Sequence, residues 1–248
     1  MLLSSALTRP SYRAAWTLID KVLNKALDYD ARILSPESFS DLALRLDHAV
    51  RKTLTKIVNV ARLTEVEYEC MALDSTSGGC GITPAALKAS FAHLAASCQV
   101  LPLVGQTLFD MGWTKPDIEN SICFDGIYQC LDKLRGRGIH LGTDGLVHDE
   151  APTYPMNGQS ILWGQVRKMH GIISRRLQHF AELDLRDRYI ADPRSLARLS
   201  SCSGNVSGKW LQAFPSSWWP EFSNDVFIIV LRFRCGIQSS DWAEVRAL

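Results

Sequence analysis

Excess charge is the first thing this 248-residue sequence lacks: 27 Lys and Arg stand against 26 Asp and Glu, a formal net charge of +1. Bulk basicity of the kind that binds polyanions along a whole chain is excluded, so any such site must come from local segregation of charge. Long apolar runs are missing too. The longest, Val226 to Leu231, falls far short of the roughly 20 residues that a membrane helix needs, and no membrane partner is expected. The opening Met1–Leu7 has no basic flank and is interrupted by Arg9-Pro10, so no secretory signal is expected either. Closely paired cysteines are absent: Cys70, Cys80, Cys98, Cys123, Cys130, Cys202 and Cys235 are scattered, and seven thiols cannot all close within one chain. Reduced, buried thiols in an intracellular protein are expected, with nucleus and cytoplasm both open.

Catalytic signatures are equally scarce. The sequence contains no Gly-x-Ser-x-Gly elbow and no His-Glu-x-x-His helix. Gly204-Asn205-Val206-Ser207-Gly208-Lys209 has three residues between its glycines where a phosphate-binding loop needs four, and Trp210 stands where that loop needs a Ser or Thr. A flexible turn is the expectation there. Cys123, Cys130, His140 and His148 lack the close ligand pair that structural zinc sites show, so no metal or other cofactor is assigned. No catalytic residue is assigned.

What the sequence does contain is helical periodicity. Trp16, Ile19, Leu23 and Leu27 define a helix from Ser11 to about Leu27. Ser35-Pro36 opens a second with Phe39, Leu42, Leu46, Val50, Leu54 and Ile57 as its stripe, and the capping-box pattern Thr64-x-x-Glu67 opens a third that ends near Leu73. Gly78-Gly79-Cys80-Gly81 breaks the pattern; Thr83-Pro84 restarts it as far as Leu101, and a further helix is expected over Asp117 to Leu134, weakened by Gly126. Gly136 to Gly158 reads as a Gly/Pro-rich loop. Helices follow from Ser160 to Leu183, from Asp192-Pro193 to Leu199, and from Asn224 to a terminating Gly236, although the β-branched and aromatic stretch Val226 to Phe233 is ambiguous with strand. The expected fold class is all-α: a helical bundle of two subdomains, 1–150 and 151–248, joined by the Gly/Pro-rich loop.

Charge is segregated in one place. Trp163 to Arg198 holds eight Lys and Arg, namely Arg167, Lys168, Arg175, Arg176, Arg186, Arg188, Arg194 and Arg198, against four acids. Arg167, Lys168, Arg175 and Arg176 fall about two helical turns apart, away from Leu162, Val166, Ile173 and Leu177, and would form a basic ridge able to follow a phosphate backbone. A solvated face with ordinary ion pairs is the plainer reading of the same charges. Trp210, Phe214, Trp218, Trp219 and Phe222 crowd five aromatics into thirteen residues, with Pro215 and Pro220 between them. They read either as a plug for the end of the bundle or as a contact surface, with base stacking beside Arg232 and Arg234 or protein docking as its use.

Two stretches carry a resemblance. Gly78-Gly79-Cys80-Gly81-Ile82 with the Ala-rich helix after Pro84, and Gly208-Lys209-Trp210-Leu211-Gln212-Ala213-Phe214-Pro215 with Leu231-Arg232-Phe233-Arg234-Cys235-Gly236-Ile237, resemble elements that follow the polymerase domain in LINE-like (non-LTR) retrotransposon reverse-transcriptase polyproteins. Their order along the chain is also that of the family. The family's polymerase needs palm carboxylates, typically in an aromatic-x-Asp-Asp turn, and this sequence has no Asp-Asp pair. The resemblance therefore implies a non-catalytic helical fragment from after the palm, either a truncated relic or a stand-alone module. Its implied capacity is weak RNA or DNA backbone binding through Arg167, Lys168, Arg175, Arg176, Arg232 and Arg234, with Trp210, Trp218 and Trp219 as aromatic contacts. The alternative is a helical protein-interaction module using residues 210–222.

Overall fold

A computed structural model describes residues 12–114, 117, 122–141, 147–148, 169–212 and 223–237. The fold is all-α. The described helices are α1 (Tyr12–Lys21), a 3-10 turn (Leu23–Lys25), α2 (Asp30–Ile33), α3 (Pro36–Ile57), α4 (Glu65–Ala72), α5 (Ala85–Asp110), α6 (Ile122–Arg135), α7 (Met169–Arg188), α8 (Pro193–Cys202), α9 (Lys209–Gln212) and α10 (Asn224–Cys235). A two-residue antiparallel ladder pairs His140–Leu141 with Val147–His148.

Local chemistry sets many of the helix ends. Thr64 Oγ1 accepts the Glu67 backbone N–H at 3.2 Å while Glu67 Oε2 accepts that of Thr64 at 2.7 Å, the reciprocal capping box expected at the start of α4. Asp192 accepts the N–H groups of Arg194 and Ser195 ahead of Pro193, and Ser223 accepts that of Val226 at the start of α10. At the other end of α10, Gly236 adopts φ 73°, the left-handed conformation that ends helices. The stretch Val226–Phe233 is therefore helix.

Helix α5 departs from expectation at both ends. Thr83 does not cap it; the orphan N–H groups of Ala85 and Ala86 donate instead to the Asp47 carboxylate of α3, at 2.6 and 3.0 Å. The helix also runs on through Pro102 and Gly105 to Asp110, with Leu108 packed on the core below. Gly126 is no break in α6, because a Cβ there would lie 3.0 Å from His93 Nε2; the glycine admits a close approach of α5.

The described residues form two compact units that are interleaved along the chain. One draws on Met1–Lys25, His48–Thr83 and Ala181–Leu248, the other on Ala26–Asp47 and Pro84–Phe180. The division expected near residue 150 falls inside the second unit and outside the described residues. In the first unit, Cys70, Leu73, Leu185 and Leu199 make one buried cluster, and Trp16 packs edge-on against Phe227 with ring centroids 6.2 Å apart. In the second, α5 packs on α6 and α2. Phe91, Leu94, Ile127, Leu131, Leu134 and Ile173 form its main core, and the small residues Ala31, Ala43, Ala85, Ala89 and Ala92 let the α2–α5 contact close around Phe39. Each large apolar side chain buried in these clusters contributes about 1.5–3 kcal/mol.

Candidate nucleic-acid interface

The basic residues singled out from sequence separate into several environments. Arg167 and Lys168 lie outside the described residues, as do Trp218 and Trp219. Arg175 is exposed, with its Nε folded back on the Gly171 carbonyl at 3.1 Å, whereas Arg176 is half-buried over the Phe180 ring at 5.7 Å. Adjacent residues on a helix point about 100° apart, so these two do not share one exposed ridge. Further along, Arg186 pairs with Glu182 at 2.9 Å, and Arg188 bridges Asp184 at 2.6 Å and Glu69 at 2.5 Å. Arg198 lies over the Tyr189 ring and donates to the Arg234 carbonyl. Much of the local positive charge is thus committed within the fold.

Arg232 and Arg234, expected as phosphate contacts, are interior residues, 9% and 2% exposed. Arg232 donates from Nε to Val58 O and from Nη2 to Asn59 O, each at 2.6 Å, and so satisfies two carbonyls of the turn that directly follows α3. Arg234 reaches three backbone carbonyls, Gly79 at 2.6 Å, Ser207 at 3.1 Å and Ser75. A guanidinium is suited to this because its donors fan out in a fixed plane. The Arg-x-Arg spacing therefore ties α10 to three other chain segments, at 58–59, at 75–79 and at Ser207. Trp210 is half-buried and sits edge-on to Phe227, centroids 5.8 Å apart, as part of the aromatic packing around Trp16.

The loop-like Gly204–Lys209 segment also has an internal partner. Ser203 bridges Ser77, the Gly204 N–H donates to Thr76 O at 2.7 Å, and Ser207 Oγ donates to Ser75 O at 3.3 Å. Its polar groups hold the 75–77 turn. Among the described residues no three His, Cys, Asp or Glu side chains converge as a metal site requires, and no helix is long and apolar enough to cross a membrane.

A different basic surface is built in the first unit, on the C-terminal half of α3 and the turn after it. An open concavity of about 570 Å³ is lined by His48, Arg51, Lys52, Thr55, Lys56, Val60, Ala61, Arg62 and Leu63, with no acidic residue among them. His48, Lys52 and Lys56 follow one another at four-residue spacing, so they stand on one helix face about 6 Å apart along the axis. All three are exposed, as is Arg62 across the turn. Arg51 makes the wall between them: Nη1 pairs with Glu65 at 2.7 Å, Nη2 donates to Leu63 O at 2.9 Å, and the guanidinium lies 5.0 Å from the Tyr68 ring centroid. Its charge is offset by Glu65, which leaves Lys52, Lys56 and Arg62 with no ion pair to a described residue.

The sequence signal for this surface is the His48-x-x-x-Lys52-x-x-x-Lys56 spacing. It contributes little to a local charge count because Asp41, Asp47, Glu65 and Glu67 lie nearby in sequence, and two of these carboxylates are spent on Arg45 and on the α5 cap. Comparison with protein-family models, with curated proteins and with solved structures gives no match.

Proposed function

We propose that this chain is a non-catalytic, all-α module, similar to the post-polymerase segment of LINE-like reverse-transcriptase proteins, that binds the phosphate backbone of nucleic acid. The observation that carries this reading is the acid-free concavity in which Lys52, Lys56 and Arg62 stand exposed beside His48. Phosphate contacts of this kind position a polyanion without reading its bases, so binding is expected to be weak, tolerant of sequence and strongly dependent on salt. Arg51, held by Glu65 and Tyr68, supports the wall rather than supplying a free charge.

A fluorescence anisotropy titration with labelled single-stranded RNA and duplex DNA over a range of salt concentrations tests the proposal. Three phosphate contacts give a slope of log K against log salt of about −2 for single strands and about −2.7 for duplex DNA. The combined substitution K52A/K56A/R62A should bring that slope close to zero. Absence of binding at low salt, or an unchanged slope in the triple variant, would refute it.

A further inference from the structure

Two buried thiols in the first unit stand apart from the basic concavity. Cys80 Sγ and Cys235 Sγ lie 3.4 Å apart, although the residues are separated by 155 positions in sequence. Their backbones are held together by the neighbouring residues: Arg234 Nε donates to Gly79 O at 2.6 Å, and the Cys80 N–H donates to Met71 O at 3.1 Å. The turn that carries Cys80 is also seated on the end of α4, where a Cβ at Gly79 would fall on the Leu73 carbonyl, while Arg234 ties the same turn to α10. The two sulfurs are therefore pre-positioned by contacts that do not involve the thiols themselves.

We infer that Cys80 and Cys235 form a reversible disulfide by exchange with a low-molecular-weight disulfide of the glutathione class. Cys80, slightly exposed where Cys235 is fully enclosed, is the entry point. It gives up its proton and attacks one sulfur of the external disulfide, forming a mixed disulfide and releasing one thiolate. Cys235 then loses its proton and attacks Cys80 Sγ, expelling the second thiolate. Two protein thiols are oxidised by two electrons, one external disulfide is reduced to two thiols, and the two protons end on the released thiolates. Closure requires the sulfurs to approach from 3.4 Å to a bond length of about 2.05 Å. Burial pushes the Cys235 thiol well up, so proximity rather than abundance of thiolate drives the second step. The bond would fasten α10 covalently to the Gly-rich turn.

The full chain, incubated with oxidised glutathione, quenched with an alkylating agent and mapped by mass spectrometry, should lose about 2 Da and give a Cys80–Cys235 linked peptide that dithiothreitol reverses. The thermal midpoint of the oxidised protein should rise, since the link restricts the unfolded chain. In Cys235→Ser, the glutathione adduct should remain on Cys80 instead of being displaced. The inference is overturned if both thiols of the native chain stay alkylated, if glutathione persists on Cys80 of the native chain, or if the link joins other cysteines. The native-chain map decides the matter even if the serine variant does not fold.

Discussion

Arg232 Nε donates to the carbonyl of Val58 at 2.6 Å across 174 residues of sequence, and this bond converts an arginine expected at a surface into a buried clamp on the turn that follows α3. That turn leads out of the helix that carries Lys52 and Lys56. Replacing Arg232 with Ala should lower the unfolding free energy by about 2–4 kcal/mol, because two charge-assisted hydrogen bonds are lost and two carbonyls are stranded. Urea denaturation measures it. Arg232→Lys should recover only part of the loss, since an ammonium cannot reproduce the paired geometry. A variant as stable as the wild type would show that these two bonds contribute nothing.

Gly79 and Gly81 flank the same cysteine yet should respond differently to alanine. At Gly79 the new Cβ would collide with the backbone of Leu73, and a loss of more than about 3 kcal/mol is expected. At Gly81, φ is +76° and nothing lies within 4 Å, so only the left-handed strain remains, about 1–2 kcal/mol. Thermal or urea unfolding of the two variants checks the ranking.

The start of α5 offers a second contrast. Asp47→Ala should cost about 1–2 kcal/mol through loss of its two backbone acceptor contacts. Thr83→Ala, at the residue that looks like the cap from sequence, should cost less than about 0.5 kcal/mol. Equal effects would contradict the remote cap.

His93 sets a pH dependence. Burial lowers its pKa, while the carbonyls of Arg32 and Leu34 pull weakly the other way. The unfolded imidazole takes up a proton near pH 6.5, where the folded one does not, so stability should fall as pH drops from about 6.5 toward the lowered folded value and level off below it. Above that window His93 contributes no slope. His93→Gln should flatten the dependence relative to wild type in urea midpoints measured between about pH 5 and pH 7.5.

Features governed by near neighbours are legible in the amino-acid sequence itself. The Thr64–Glu67 box, the Asp192-Pro193 start and the Gly236 stop each depend on residues within four positions. The apolar stripe of α3 is equally plain, with Phe39, Val50, Leu54 and Ile57 buried, although Leu42 is 43% exposed. Features governed by distant partners are not legible in this way. Asp47 caps a helix 38 residues on, and Arg234 serves a carbonyl 155 residues back, so the same side chains read as surface charges when only their neighbours are visible. The basic concavity is hidden for a related reason: nearby acids cancel its charge along the sequence, while in space Asp47 is taken up by the start of α5 and Glu65 offsets only Arg51 in the concavity's wall.

The interleaving of the two units bears on how the chain can be taken apart. Residues 26–180 contain every segment of the second unit but also carry the 48–83 stretch, stripped of its companions. The first unit cannot be excised as any shorter continuous stretch, because its parts lie on both sides of the other's. A single proteolytic nick or an expression boundary near residue 150 would thus separate segments belonging to both units. Complementation by mixing two fragments, rather than truncation, is the way to recover either unit from a cut chain.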